Sequence, residues 1–187
     1  MPLTTIDPKV ALIIVDLQKG ITGLPTMNPI EGVIARSRAL ADAFRAHRLP
    51  VVLVNVVAGA PGRTEAASRL PDNLPADFAD IVPELDPQPD DIRVTKRSWG
   101  AFATTDLDAR LKALGVTQVV VTGVATATGV EATARQAYEA GYNVLLALDA
   151  MTDRRAEAQD YSIHHVFPRL GETGLTDEII ALLERTR

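Results

Sequence analysis

The sequence predicts an α/β fold: a three-layer α/β/α sandwich with a mainly parallel, doubly wound sheet of about six strands. Three observations predict it. Short apolar, β-branched runs alternate with amphipathic stretches along most of the chain. Several runs are apolar at every position, as strands buried on both faces are. The segments between them are long enough to hold helices, which parallel strands require. The chain has 187 residues, 47% hydrophobic and 23% charged, enough for a full core, and is read as one domain over 1–187.

The first strand is VALIIVD, 10–16, a compact run that ends on Asp16. From Pro29 to His47 the apolar residues Ile30, Val33, Ile34, Leu40, Ala41 and Phe44 recur at helical spacing, and Pro29 suits a first turn. VVLVNV, 51–56, is the second strand and DIRVTK, 91–96, a weaker third. DLDARLKALG, 106–115, reads as a helix with a glycine stop. QVVVTGV, 118–124, is the fourth strand, followed by a helix over 130–141 closed by Gly141. NVLLALDA, 143–150, is the fifth strand, ending near Asp149. A helix over 153–165 and a C-terminal helix from LTDEII complete the pattern, with FPRLG, 167–171, as a short sixth strand.

The stretch 57–90 breaks this rhythm. It holds six prolines and many aspartates, and it is too long for an ordinary connection. Short helices are expected around Thr64–Arg69 and Ala76–Asp80. The stretch is read as a surface excursion, or as a lid or oligomer contact.

Composition removes several functions. With 19 Lys+Arg against 24 Asp+Glu the net charge is −5, against a nucleic-acid partner. Aromatics are 4%, too few for a base-stacking platform. There is no cysteine, so no disulfide, thiolate metal site or thiol nucleophile. The start, MPLTTIDPKV, lacks the pattern of a signal peptide. The early run ALIIV is far short of the ~20 residues that cross a bilayer. A cytoplasmic protein with no membrane partner is expected.

In doubly wound sheets ligands bind at the carboxyl ends of the strands, beside the point where strand order reverses. Asp16, Asn55, Lys96 and the turn VATATG (124–129) fall there. Burial of Asp16 would raise its pKa and suit it to proton transfer; its plainer role is a cap. Lys96 repeats the pattern, with a snorkelling surface lysine as the alternative. In a strand order 3-2-1-4-5, strands one and three lie roughly 9–10 Å apart, within a lysine's reach. The N–H groups of the 124–129 turn stand at a helix start, a natural site for an oxyanion or carboxylate. Gly123 to Gly129 is no dinucleotide fingerprint, because the middle glycine is missing and the strand is the fourth. Trp99 and Phe102 follow Lys96 and are read either as a substrate wall or as packing. Ser98, Thr126 and Thr128 are nearby hydroxyls without an obvious histidine partner. His164 and His165 are adjacent on a helix end and face apart, so no metal is expected. Asp160 and His164, four apart, are read as a solvated surface pair.

VALIIVDLQKGI, together with TKRSWGAFATTDLDARLKALGVTQVVVTGVATATGVEATARQAYEAGYNVLLALDAM, resembles the isochorismatase-like hydrolase family. The resemblance covers nearly the whole chain outside 57–90. It rests on the Asp-Leu-Gln after strand one, the Lys followed by Gly-Ala-Phe, and the TGVAT–GVEATAR block. It implies an α/β/α sandwich, often in a homo-oligomer, acting on a small-molecule substrate without a cofactor. It makes Asp16 the acid/base residue and Lys96 the cationic member of the site. Gln18, Trp99, Phe102, Val124, Ala125, Thr126 and Thr128 become substrate-binding positions. It also makes Val124–Ala125 a non-proline cis peptide shaping an oxyanion hole.

Most of the family has a nucleophilic cysteine where this chain has Gly129. The family's isochorismatases proper lack it too. They hydrolyse a vinyl ether: a carboxylic acid protonates the enol carbon and water adds to the oxocarbenium ion. They usually carry an aromatic and a histidine in the strand-four turn. Here that turn is Ala125-Thr126-Ala127-Thr128, closer to the glycine-bearing members. Two functions follow: an acid-catalysed hydrolase that works without cysteine, or a silent ligand-binding protein on a hydrolase scaffold.

Overall fold

The computed structural model describes residues 3–65 and 73–186. Six parallel strands form one sheet in the order β3-β2-β1-β4-β5-β6. They are β1 (Val10–Val15), β2 (Val51–Val56), β3 (Ile92–Lys96), β4 (Gln118–Val124), β5 (Asn143–Thr152) and β6 (Glu172–Gly174). The helices are α1 (Lys19–Thr22), α2 (Ile30–Ala46), α3 (Leu107–Ala113), α4 (Glu131–Glu139), α5 (Ala156–Tyr161) and α6 (Thr176–Arg185). The order expected for the first five strands is the one found.

Alternation along β1 explains the layers. Ala11, Ile13 and Val15 pack into one cluster with Leu107 and Leu111 of α3 and Ala134 and Ala137 of α4. Val10, Leu12 and Ile14 pack into another with Val33, Leu40 and Phe44 of α2 and Ile179 and Leu183 of α6. Every residue of β1 is buried because side chains of period two meet helices on both faces. β1 sits between β2 and β4, so the chain leaves it in opposite directions, and the strand-order reversal falls beside Asp16.

Several boundaries differ from the sequence reading. FPRLG is not the sixth strand. Phe167–Arg169 is a 3-10 turn with Phe167 buried in the core, and Pro168 has no N–H for a ladder. The strand is Glu172–Gly174 instead, paired with Leu145–Ala147. β5 runs on to Thr152 through an irregularity: Val121 faces Leu146, but Gly123 faces Met151. Asp149 therefore lies inside the bulged segment rather than at the strand end. Its carboxylate accepts from Thr176 N and Oγ1 and so caps α6. The helix expected over 153–165 is α5 followed by a wide π-turn, Ser162–Val166. A second π-turn, Thr126–Val130, opens α4. Residues 76–79 form turns, not a helix. The helix expected over 64–69 falls largely outside the described residues. No helix among the described residues is long and apolar enough to cross a membrane.

The described part of the excursion is sewn to the site end of β1. Lys19 N donates to Asp80 O, Gly20 N to Phe78 O and Val82 N to Leu17 O.

Candidate active site

Asp16 is the first residue beyond β1. Its backbone turns into the left-handed region, at φ 54°, while its N–H still bonds Val54 O at 2.9 Å. That conformation is uncommon for a residue with a Cβ and redirects the side chain at the reversal point. Lys96 ends β3 and extends its stem beneath β2. Its Nζ donates to Asp16 Oδ2 at 2.8 Å and to Ser98 O at 3.2 Å. The two residues are 6% and 1% exposed, so the pair is desolvated.

Desolvation dominates Asp16. It pushes the carboxyl from an ordinary 3.8 up to about 6, against the opposing charge and hydrogen bond of Lys96. A shift of that size corresponds to roughly 3 kcal/mol favouring the protonated form. The other oxygen, Oδ1, is buried with no hydrogen-bond partner. Lys96 holds Oδ2 as an acceptor, so a proton on this carboxyl belongs on Oδ1.

The β4 turn lies against this pair. Gly123, at φ +111°, passes so close to β1 that a Cβ would meet Val15 O at 2.0 Å. Only glycine fits there. The Val124–Ala125 peptide is cis. A Cβ on Gly129 would lie 3.1 Å from Val124 O, 3.1 Å from Val15 Cγ1 and 3.2 Å from Asp16 Oδ2. Asp16, Lys96 and Gly129, drawn from three elements, are therefore brought together.

The other expected positions divide. Thr128 Oγ1 reaches Ala125 O only at 3.5 Å, and Thr126, fully buried, reaches Gln159 Oε1 at 3.5 Å. Trp99 is 63% exposed, whereas Phe102 packs in the core with its ring 5.8 Å from that of Tyr142. Gln18 is fully buried and its amide is occupied. Nε2 donates to Val56 O and Phe78 O, and Oε1 accepts from Val56 N at 2.7 Å. It clamps the excursion to the end of β2. His164 bonds the backbone carbonyl of Asp160 through Nδ1 at 2.9 Å, so the expected side-chain pair is not the contact.

The sequence reading missed Asp153. It is 6% exposed; Oδ2 accepts from Ala127 N at 2.8 Å and Oδ1 from Arg154 N at 2.7 Å. It thus ties the β4 turn to the start of α5. The available signal was a second acid soon after Asp149, hidden by the bulge. Two surface cavities share Lys19 and Pro83, one of about 510 Å3 against β2 and β3 and one of about 790 Å3 against α2, and neither is lined by Asp16 or Lys96.

The fold has counterparts in known proteins. The isochorismatase domain model matches residues 10–178. This chain belongs to the isochorismatase family. It is 39% identical to the isochorismatase family protein YwoC of Bacillus subtilis over 178 residues, covering 92% of this chain and 93% of that one. It is 37% identical to YecD of Escherichia coli, with 92% and 95% covered. A solved isochorismatase family protein from Burkholderia thailandensis superposes with a TM-score of 0.92 at 40% identity, over 96% of this chain and 98% of that one. Membership places the chain in a family of hydrolases and supports both the expected fold and the expected enzyme class.

Proposed function

We propose that this protein hydrolyses a small enol-ether-type metabolite, anionic or carbonyl-bearing, by acid catalysis and without a covalent intermediate. Asp16 is the general acid and Lys96 the fixed cation beside it. The observation that carries this reading is the buried carboxyl with one oxygen held by Lys96 and the other unpartnered. A pKa near 6 leaves a useful fraction protonated at neutral pH, which is what a general acid needs. The chain has no cysteine, and Gly129 stands where most of the family attacks an amide carbon. An acyl-enzyme route through a thiol is therefore closed, whereas protonation of an enol carbon needs no nucleophilic side chain.

Lys96 has a second role here. When Asp16 gives up its proton, the carboxylate is left beside a cation 2.8 Å away, which stabilises the charge that develops. Trp99, exposed and three residues beyond Lys96, is assigned as an aromatic wall for the substrate.

The test is pyruvate release from isochorismate and from simpler enol ethers, run beside a panel of small amides. The expected result is turnover of at least one enol ether, lost in Asp16→Ala, and none of the amides. Tight binding without turnover across both panels would point to the silent ligand-binding protein instead. Turnover that survives in Asp16→Ala would remove Asp16 from the mechanism.

A further inference from the structure

The Asp16–Lys96 pair is shut in. The two residues are 6% and 1% exposed, and Asp16 Oδ1, the oxygen without a partner, is buried. A reacting atom has to come within reach of that oxygen, so some part of the surroundings has to move. The neighbours of the pair differ in how firmly they are held. β1 is an inner strand, paired on both sides. The β4 turn is pinned: Gly123 passes against the backbone of Val15, Asp153 holds Ala127 N, and Thr128 N and Val130 N both return to Ala125 O. The third neighbour is the segment 97–100, which follows Lys96 and lays Ser98 O on Lys96 Nζ at 3.2 Å.

This segment is held loosely. Among the described residues its backbone makes no hydrogen bond to other backbone. Arg97 N reaches Thr104 Oγ1 at 3.3 Å, and Ser98 Oγ lies 3.2 Å from Gly100 O and 3.4 Å from Thr104 Oγ1, all long contacts. Just beyond it the chain is fixed again. Ala101 N donates to Thr133 Oγ1, Phe102 N and Ala103 N donate to Gln136 Oε1, and Ala101 and Phe102 are buried. A few weakly bonded residues between two fixed ends, beside a buried reactive group, have the anatomy of a lid. We infer that 97–100 is the door of this site, swinging out between Lys96 and Ala101 to admit a small ligand and returning Ser98 O to Lys96 Nζ to close. Trp99, 63% exposed, is its solvent-facing side chain. Closure dries the carboxyl, so the burial that favours its protonated form belongs to the closed state. The door serves whatever ligand reaches Asp16 and so goes beyond the enol-ether reading.

The chain has no cysteine, so a lock can be built without competing thiols. Ser98→Cys with Thr104→Cys puts two thiols where the hydroxyls lie 3.4 Å apart. Oxidation to the disulfide holds the door shut, and reduction frees it. The probe is a water-soluble carbodiimide, with modification of Asp16 read by peptide mass spectrometry as an adduct or as an amide to Lys96. The reduced form is expected to react at Asp16 at least about tenfold faster than the oxidised form, while the exposed Asp177 reacts equally in both. On an enol ether that the wild type turns over, oxidation is expected to cost at least about tenfold in kcat/KM, regained on adding reductant. Equal modification of Asp16 in the two forms overturns the inference, as does turnover that oxidation leaves unchanged. If the thiols do not oxidise, dibromobimane joins them and bridged protein is compared with unbridged. Thiols that neither treatment joins overturn the inference too, because the closed contact is then not populated. If the wild type turns over no enol ether, the functional reading fails, and the modification of Asp16 alone decides on the door.

Discussion

Two ion pairs with buried carboxylates sit at opposite ends of β3, and they are built differently. At the entry, Asp91 receives Arg45 through two bonds, Nε to Oδ1 at 3.1 Å and NH2 to Oδ2 at 2.7 Å, and Gln88 N adds a third at 2.8 Å. Both carboxylate oxygens are used, and the planar guanidinium fixes α2 against the sheet. At the exit, Lys96 offers Asp16 one bond to one oxygen and spends another on Ser98 O. Asp16 Oδ1 is left buried and alone. Native structures pair nearly all buried polar atoms, so the exception needs a cause. The two pairs teach that burial and opposite charge do not mark a reactive carboxyl. On the proposed reading, the unfilled oxygen of Asp16 is what sets it apart from Asp91.

Substitutions at the two ends should separate these roles. The largest effect is on turnover: Asp16→Asn should cut kcat on an enol ether by about 10³-fold, as loss of a general acid does. Asp91→Asn should leave kcat within about threefold, because it touches no part of the site. Next comes stability. Asp91→Ala strands Arg45 and should cost about 3 kcal/mol, seen as a thermal midpoint lower by roughly 6–12 °C. Equal kinetic losses at both ends would dissolve the contrast.

Lys96→Met sharpens it further. Removing the charge and hydrogen bond that hold Asp16 down should push its pKa above the present value of about 6. A folded pKa raised above the unfolded one gives stability that is present at low pH and lost as pH rises through the folded value. Lys96→Met should therefore melt higher at pH 5 than at pH 8, by roughly 1.4 kcal/mol for each unit of further shift within that window. The smallest effect is expected at Gln18. Gln18→Leu removes three bonds to backbone and should cost about 1–3 kcal/mol, read by urea unfolding, with turnover reduced only as far as the β2 end moves.

Much of this was legible in the sequence. The strands declared themselves because a parallel sheet covered on both faces demands continuous apolar runs. Asp16 and Lys96 stood out because each puts a charge at the end of such a run. Gly129 carried meaning only against the family pattern. What stayed hidden depends on contacts distant in sequence. Gln18 looks like a substrate-facing amide until Val56 and Phe78 are folded around it. Asp153 is reached through a three-residue shift in the β4–β5 register that no local propensity announces. The sixth strand was misplaced because three residues at a sheet edge carry less apolar signal than the turn before them with its buried Phe167.

The central claim is that the carboxyl of Asp16 delivers the proton in a protein with no nucleophilic side chain at the site. The pH dependence of kcat on an enol ether, measured from pH 5 to 8 for the wild type and for Asp16→Asn, tests it most directly. The acid form must be protonated, so wild-type kcat should fall as pH rises through about 6, approaching tenfold per unit above it. Asp16→Asn should be slower by about 10³-fold and flat across the range. A variant that keeps the wild-type rate, or the wild-type pH profile, would contradict the account.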